Sequence, residues 1–134
     1  MKDNNTNLDV ELMTDYAIDI SESANGLCVL IKHDYYSSDN ENGKALLDSF
    51  LDGLILQSER IFMLIITDSA VKLIQSSDRL RSLIKRVNFT LICSASAEYY
   101  DVTVSDDILS KAHLVPMESI TEQIIETVPD LIIE

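Results

Sequence analysis

Glycine and proline together supply only five of the 134 residues, and cysteine and histidine two each. So little glycine and proline, beside 46% hydrophobic and 25% charged residues, excludes collagen-like, low-complexity and fully disordered chains. Two cysteines cannot staple a fold, and two scattered histidines give no metal-ligand spacing, so neither a disulfide framework nor a zinc site is expected. Basic residues are scarce, ten against 23 acids, and the formal charge of −13 repels phosphate backbones and anionic lipid. Direct binding to nucleic acid or membrane is not expected. The longest aliphatic or aromatic run, Ile61 to Ile66, falls far short of the ~20 residues of a membrane span. The start, Met1-Lys2-Asp3-Asn4-Asn5, has no apolar core of a signal peptide, and the reading is a cytoplasmic protein.

What the chain does have is length for one domain with a proper core, and an uneven charge. Residues 1–42 carry nine acids against Lys2 and Lys32, residues 43–95 five acids against seven bases, and residues 96–134 nine acids against Lys111. The bases of the middle third cluster as Arg79, Arg81, Lys85 and Arg86 just before an apolar run that ends at Cys93. They read as the solvated face of a helix that brings cationic groups near a cysteine.

Residues 1–26 read as an acidic flexible leader, and residues 27–134 as the folded domain. Leu27-Cys28-Val29-Leu30-Ile31 is a short unbroken apolar run, the pattern of a strand buried on both faces. Leu46, Leu47, Phe50, Leu51 and Leu54 then share a helical stripe with Asn42 as its expected N-cap. Ile61 to Ile66 repeats the buried-strand pattern, residues 67–73 form a turn with a helical piece, and Leu80, Leu83, Ile84 and Val87 mark another helix. Phe89 to Cys93 is the third strand, with Ser94 to Ala97 as a small-residue loop after it. Ser105 starts a short helix, His113 to Val115 is a brief strand, and Ile120, Ile124, Ile125 and Val128 form a last stripe that Pro129 stops before a strand at Leu131 to Ile133. Apolar strands alternating with helices predict an α/β fold: a parallel sheet of about five strands, helices on both faces, Rossmann-like or flavodoxin-like.

In such sheets ligands bind beyond the carboxyl ends of the strands. The residues there are Lys32, His33 and Asp34, then Thr67, Asp68 and Ser69, then Cys93, Ser94 and Ser96. A cysteine at a strand end running into a helical segment sits near helix N-terminal amides, which favour the thiolate. Such a thiolate takes up sulfur as a persulfide and passes it on by thiol exchange, with no metal or cofactor. Glu98 and Asp101 downstream oppose that ionisation, and a lone cysteine is also a common small core residue. Cys28, inside the first strand between Leu27 and Val29, reads as packing.

Several sharper motifs fail. Gly43-Lys44 lacks the opening glycine of a P-loop, which would fall at Ser38, and Ala45 replaces the Ser or Thr that binds magnesium. No GxGxxG or GxSxG occurs, and Cys93 stands where a phospho-receiver needs its aspartate. Asp34, Asp39 and Glu41 miss the EF-hand spacing.

Three segments carry a family resemblance: Val29-Leu30-Ile31-Lys32-His33-Asp34, Thr67-Asp68-Ser69-Ala70-Val71-Lys72-Leu73, and Ile92-Cys93-Ser94-Ala95-Ser96-Ala97-Glu98-Tyr99-Tyr100, with Gly43-Lys44 opening a helix between the first two. In order and spacing they resemble the DsrE-like family, most closely the DsrE-like C-terminal domain of YedF-type proteins, whose description refers to selenium metabolism. The resemblance covers about residues 27–134. It implies a sulfur-relay, sulfurtransferase-like protein with Cys93 as persulfide carrier, sulfur donor and acceptor proteins as partners, and a homo-oligomer, trimer or hexamer. Ser94, Ser96, His33, Asp68 and Ser69 would be loop and crevice partners of that cysteine, and the arginine and lysine cluster would stabilise its thiolate. Closer relatives read Cys-Gly-Thr-Cys-Leu in the third segment, where this chain has Ser94, Ala95 and Ser96 after Cys93, so no dithiol chemistry is available there. Thr67 and Ser69 also stand where relatives carry Asn and Gly, and residues 1–26 are too short for the TusA-like domain of YedF-type proteins and contain no cysteine for its Cys-Pro motif. The alternative is a non-catalytic protein-interaction module of the same fold with an eroded active-site loop.

Overall fold

The computed structural model describes residues 26–127 and 130–133. The expected acidic leader, Gly26 apart, and the expected stop at Pro129 lie outside the described residues. The chain runs β1 (Leu27–Ile31), α1 (Glu41–Leu56), β2 (Ile61–Ile66), α2 (Leu73–Ser76), α3 (Asp78–Arg86), β3 (Phe89–Cys93), α4 (Ser94–Tyr99), α5 (Asp106–Leu109), β4 (His113–Val115), α6 (Met117–Thr127) and β5 (Asp130–Ile133). Short 3-10 turns at Ser58–Arg60 and Asp68–Lys72 precede β2 and α2.

The five strands form one parallel sheet in the order β4-β3-β2-β1-β5. Every residue of β2 is buried, as its IFMLII sequence requires of a strand with neighbours on both edges and helices on both faces. From β1 to β4 the chain steps one way across the sheet, and from β4 to β5 it steps back past β1. Right-handed crossovers then put the first set of helices on one face and α6 on the other. The packing agrees. Leu47, Leu51 and Leu54 of α1 and Leu80, Leu83 and Ile84 of α3 lie with Val29, Ile31, Leu64, Ile66 and Ile92. Ile120 of α6 lies with Cys28, Leu30, Met63, Ile65, Leu91, Cys93 and Val115, and Ile124 packs against that group. The parallel α/β domain with helices on both faces is therefore as expected.

Three local expectations need correction. The N-cap of α1 is Asn40, whose Oδ1 accepts from the Gly43 N–H at 2.8 Å, so the helix starts one residue before Asn42. The expected loop Ser94 to Ala97 is helix α4, which begins directly at the end of β3. Leu46 and Ile125 lie outside their buried stripes, at 44% and 77% exposure, because each flanks an apolar face that other residues already fill. Among the described residues no helix is long and apolar enough to cross a membrane.

Gly43 is the point where the loop after β1 folds back onto α1. The Tyr36 N–H donates to its carbonyl at 2.9 Å, and a Cβ there would stand 1.7 Å from the Ser38 carbonyl oxygen. Gly53, exposed later in the same helix, has nothing within 4 Å of a Cβ. Gly43→Ala is expected to destabilise the domain by about 2–3 kcal/mol, since backbone must move. Gly53→Ala is expected to stabilise it by about 0.5–1 kcal/mol. Urea unfolding of the two variants checks the opposite signs.

Burial at 3% exposure also pushes the Cys28 thiol up to about 11 from its ordinary 9.0. The unfolded thiol ionises first as pH rises, so this contribution is complete below about pH 9 and is lost as pH approaches 11. A decline of roughly 2–3 kcal/mol over that window is expected in the wild type and absent from the Cys28→Ala variant, read from urea midpoints against pH.

Candidate functional site

The carboxyl ends of β1, β2 and β3 lie side by side, and the side chains following them are knitted together. The Thr67 N–H donates to the Ile31 carbonyl at 3.0 Å and the Asp34 N–H to Ser69 Oγ at 3.1 Å, tying the second strand end to the first. The Asp68 N–H donates to Ser96 Oγ at 2.8 Å, and the Tyr100 hydroxyl donates to Asp68 Oδ1 at 3.1 Å, tying the second to the third. Lys72 closes the loop. Its Nζ is 3.2 Å from Asp34 Oδ2 and 5.2 Å from the centre of the Tyr100 ring, an ion pair and a cation–π contact at once.

Local backbone geometry makes this arrangement possible. Asp68 has φ of 52°, in the left-handed region that aspartate tolerates better than most residues. The chain therefore turns sharply out of β2 into the 3-10 segment, and the same residue offers its N–H and its carboxylate to the segment after β3. Desolvation at the crevice, then the hydrogen bond and charge of Asp68, and more weakly Tyr99 and Asp34, push the Tyr100 phenol above its ordinary range. The phenol thus stays protonated near neutral pH and serves as a donor.

Of the residues expected here, Asp68, Ser69 and Ser96 take part in this network. His33 stacks on Tyr35, ring centres 4.8 Å apart and 6° from parallel, and Ser94 is the half-buried first residue of α4. Lys72 and Tyr100 were not singled out as crevice residues. Lys72 is the lone base between Arg60 and Arg79, and Tyr100 belongs to the third resemblance segment, so the signals were present but needed the three strand ends to be aligned.

Cys93 ends β3, as expected, and occupies the N-cap position of α4, but its side chain turns to the α6 face of the sheet. There it is 4% exposed, packed in the group that holds Leu91, Val115 and Ile120. The cationic cluster expected to assist it lies elsewhere. The helix that carries it, α3, packs on the opposite face, where Arg79 pairs with Asp48 and Asp52, Arg81 with Asp78, and Lys85 with Asp107. Arg86 donates through Nε to Ser82 Oγ at 3.3 Å. Arg79 thus joins α3 to α1 and Lys85 joins it to α5, on the sheet face away from the Cys93 side chain.

Cys28 and Cys93 are both free thiols. They sit on strands separated by β2 and four residues apart in register, roughly 16 Å by strand geometry, far beyond the reach of a disulfide. Among the described residues no group of three His, Cys, Asp or Glu side chains is arranged to hold a metal ion.

These features define an open parallel α/β domain with a polar crevice at the carboxyl ends of its strands, of the general Rossmann and flavodoxin-like class. No family model, no curated protein and no solved structure matches the chain.

Asp68 is held twice by the third segment, through its N–H and its carboxylate. Ser96→Ala and Tyr100→Phe are each expected to cost about 1 kcal/mol in urea unfolding. Because both act on one residue, the double variant should depart from additivity by about 0.5 kcal/mol or more. An additive pair would show that the two contacts are independent.

Proposed function

We propose that this chain is a DsrE-like domain that acts as a non-catalytic protein-interaction module, with its strand-end cysteine serving as a packing residue. The family reading is supported by the way residues 29–34, 67–73 and 92–100, which carry the resemblance, meet at one end of the sheet in a single hydrogen-bonded crevice. The observation that carries the loss of chemistry is the burial of Cys93 at 4% exposure, on the sheet face away from the α3 bases. A thiol that exchanges sulfur needs access for the incoming partner. Exposed apolar side chains, Leu114 in the three-residue edge strand β4 and Leu109 and Met117 to either side of it in sequence, suit contact with another protein or a second copy of this chain in the cytoplasm.

One observation favours a second reading, the sulfur relay. Cys93 sits at the carboxyl end of β3 in the N-cap position of α4, and a small shift of α6, whose Ile120 packs in the same group, would free the thiol. Its thiolate would then attack the outer sulfur of a donor protein's persulfide, the donor would leave as a thiolate, and the Cys93 persulfide would pass the sulfur to an acceptor thiol.

Two measurements separate the readings. Iodoacetamide is expected to label the native protein at least 100-fold more slowly than the urea-unfolded protein, and incubation with a persulfide donor should leave the intact mass unchanged. A gain of about 32 Da in the wild type that is absent from Cys93→Ser would overturn the interaction reading in favour of the relay.

A further inference from the structure

A cavity of about 370 Å³ opens between the first half of α1 and the corner where α2 meets α3. It shares Asp34 with the crevice and otherwise uses residues that the preceding reading does not. Its apolar lining is Leu47 and Leu73, at 1% and 9% exposure, and its uncharged polar lining is Ser76 and Ser77. The charged lining has both signs: Lys44 and Arg79 against Asp34, Asp48 and Asp78.

That set narrows the ligand. The size lies at the small end of the ~300–1,000 Å³ of small-molecule sites. Three carboxylates against two cations, in a chain of net charge −13, exclude phosphates and other multiply charged anions. Two of the charges are held in place before any ligand arrives. The Arg79 guanidinium is fixed by Asp52 at 2.9 Å and Asp48 at 3.7 Å, and Asp34 by Lys72 at 3.2 Å with its side chain only 19% exposed. A guanidinium has five N–H donors in a rigid fork, so two carboxylate partners do not exhaust it. The cavity also lies beside the exits of β1 and β2, at the carboxyl end of the sheet, the end at which open parallel sheets bind ligands.

We propose that this cavity binds a free α-amino acid. Its carboxylate is received by Arg79 and Lys44, its ammonium group by Asp34, and its side chain rests on Leu47 and Leu73. The proposal is independent of whether Cys93 reacts. The test follows amide NMR shifts of the full chain on titration with L-serine, L-methionine, L-glutamate and L-lysine into the millimolar range. At least one should give saturable shifts centred on Leu47, Leu73 and Ser77. Its N-acetyl and carboxamide derivatives, each lacking one charge, should bind at least tenfold more weakly, and Arg79→Gln and Lys44→Gln should weaken it similarly while the circular dichroism spectrum is kept. The Lys44 variant covers loss of folding in the Arg79 variant, since Lys44 is exposed and its ion pair, with exposed Asp39, spans its own helix start. No saturable shift with any of the four, or equal binding of the blocked derivatives, overturns the proposal.

Discussion

The rest of the molecule depends on the burial of β2. Six consecutive apolar residues with no exposed member need a strand on each edge and a helix layer on each face. Once that strand is central and its neighbours are parallel, each connection must cross a face of the sheet, and handedness decides which. Among the described residues five short strands and six helices then close around two apolar layers, and the polar strand exits collect at one end. The crevice is thus a by-product of satisfying the sheet. Its chemistry depends on which side chains happen to stand at those exits.

Strand alternation sets the fate of the cysteine. Ile92 and Cys93 are adjacent, so they must face opposite sides of the sheet, and Ile92 lies with the α1 and α3 layer while Cys93 lies under α6. The bases of α3 are on the first of those sides. Closeness in sequence therefore placed the cationic cluster and the cysteine on different faces. Two members of that cluster are already matched across helices, Arg79 by acids of α1 and Lys85 by Asp107 of α5, so they hold helices together on that face.

Fold and site were legible to different degrees for a physical reason. A buried strand announces itself through runs such as Leu27 to Ile31, and an amphipathic helix through Leu80, Leu83, Ile84 and Val87, because both signals are local. Helix α4 was hidden because Ser94-Ala95-Ser96-Ala97 has the small residues of a loop and only Ala97 is buried. Asn40 and Asn42 are equally good caps by residue type, and the choice fell to Asn40 through its contact with Gly43. At the site, proximity to a strand end was readable but partnership was not. Asp34 finds Lys72, and Asp68 finds Tyr100, across gaps of more than thirty residues in every case, a relation that only the parallel register creates.

The crevice and the neighbouring cavity illustrate two ways of treating polar groups at the end of a sheet. In the crevice the donors and acceptors satisfy one another: Ser69 with Asp34, Ser96 and Tyr100 with Asp68, Lys72 with Asp34. A ligand entering there must break bonds that hold three strand exits together, so affinity is charged against stability. In the cavity the charges come from α1, α3 and the β1 exit, and the pair among them, Arg79 with Asp48, joins two helices outside the sheet. A ligand with two charged ends adds contacts and breaks none that holds the sheet. Stability and binding are therefore in conflict at the first place and compatible at the second, which is why the proposed amino-acid site lies beside the crevice network and not within it.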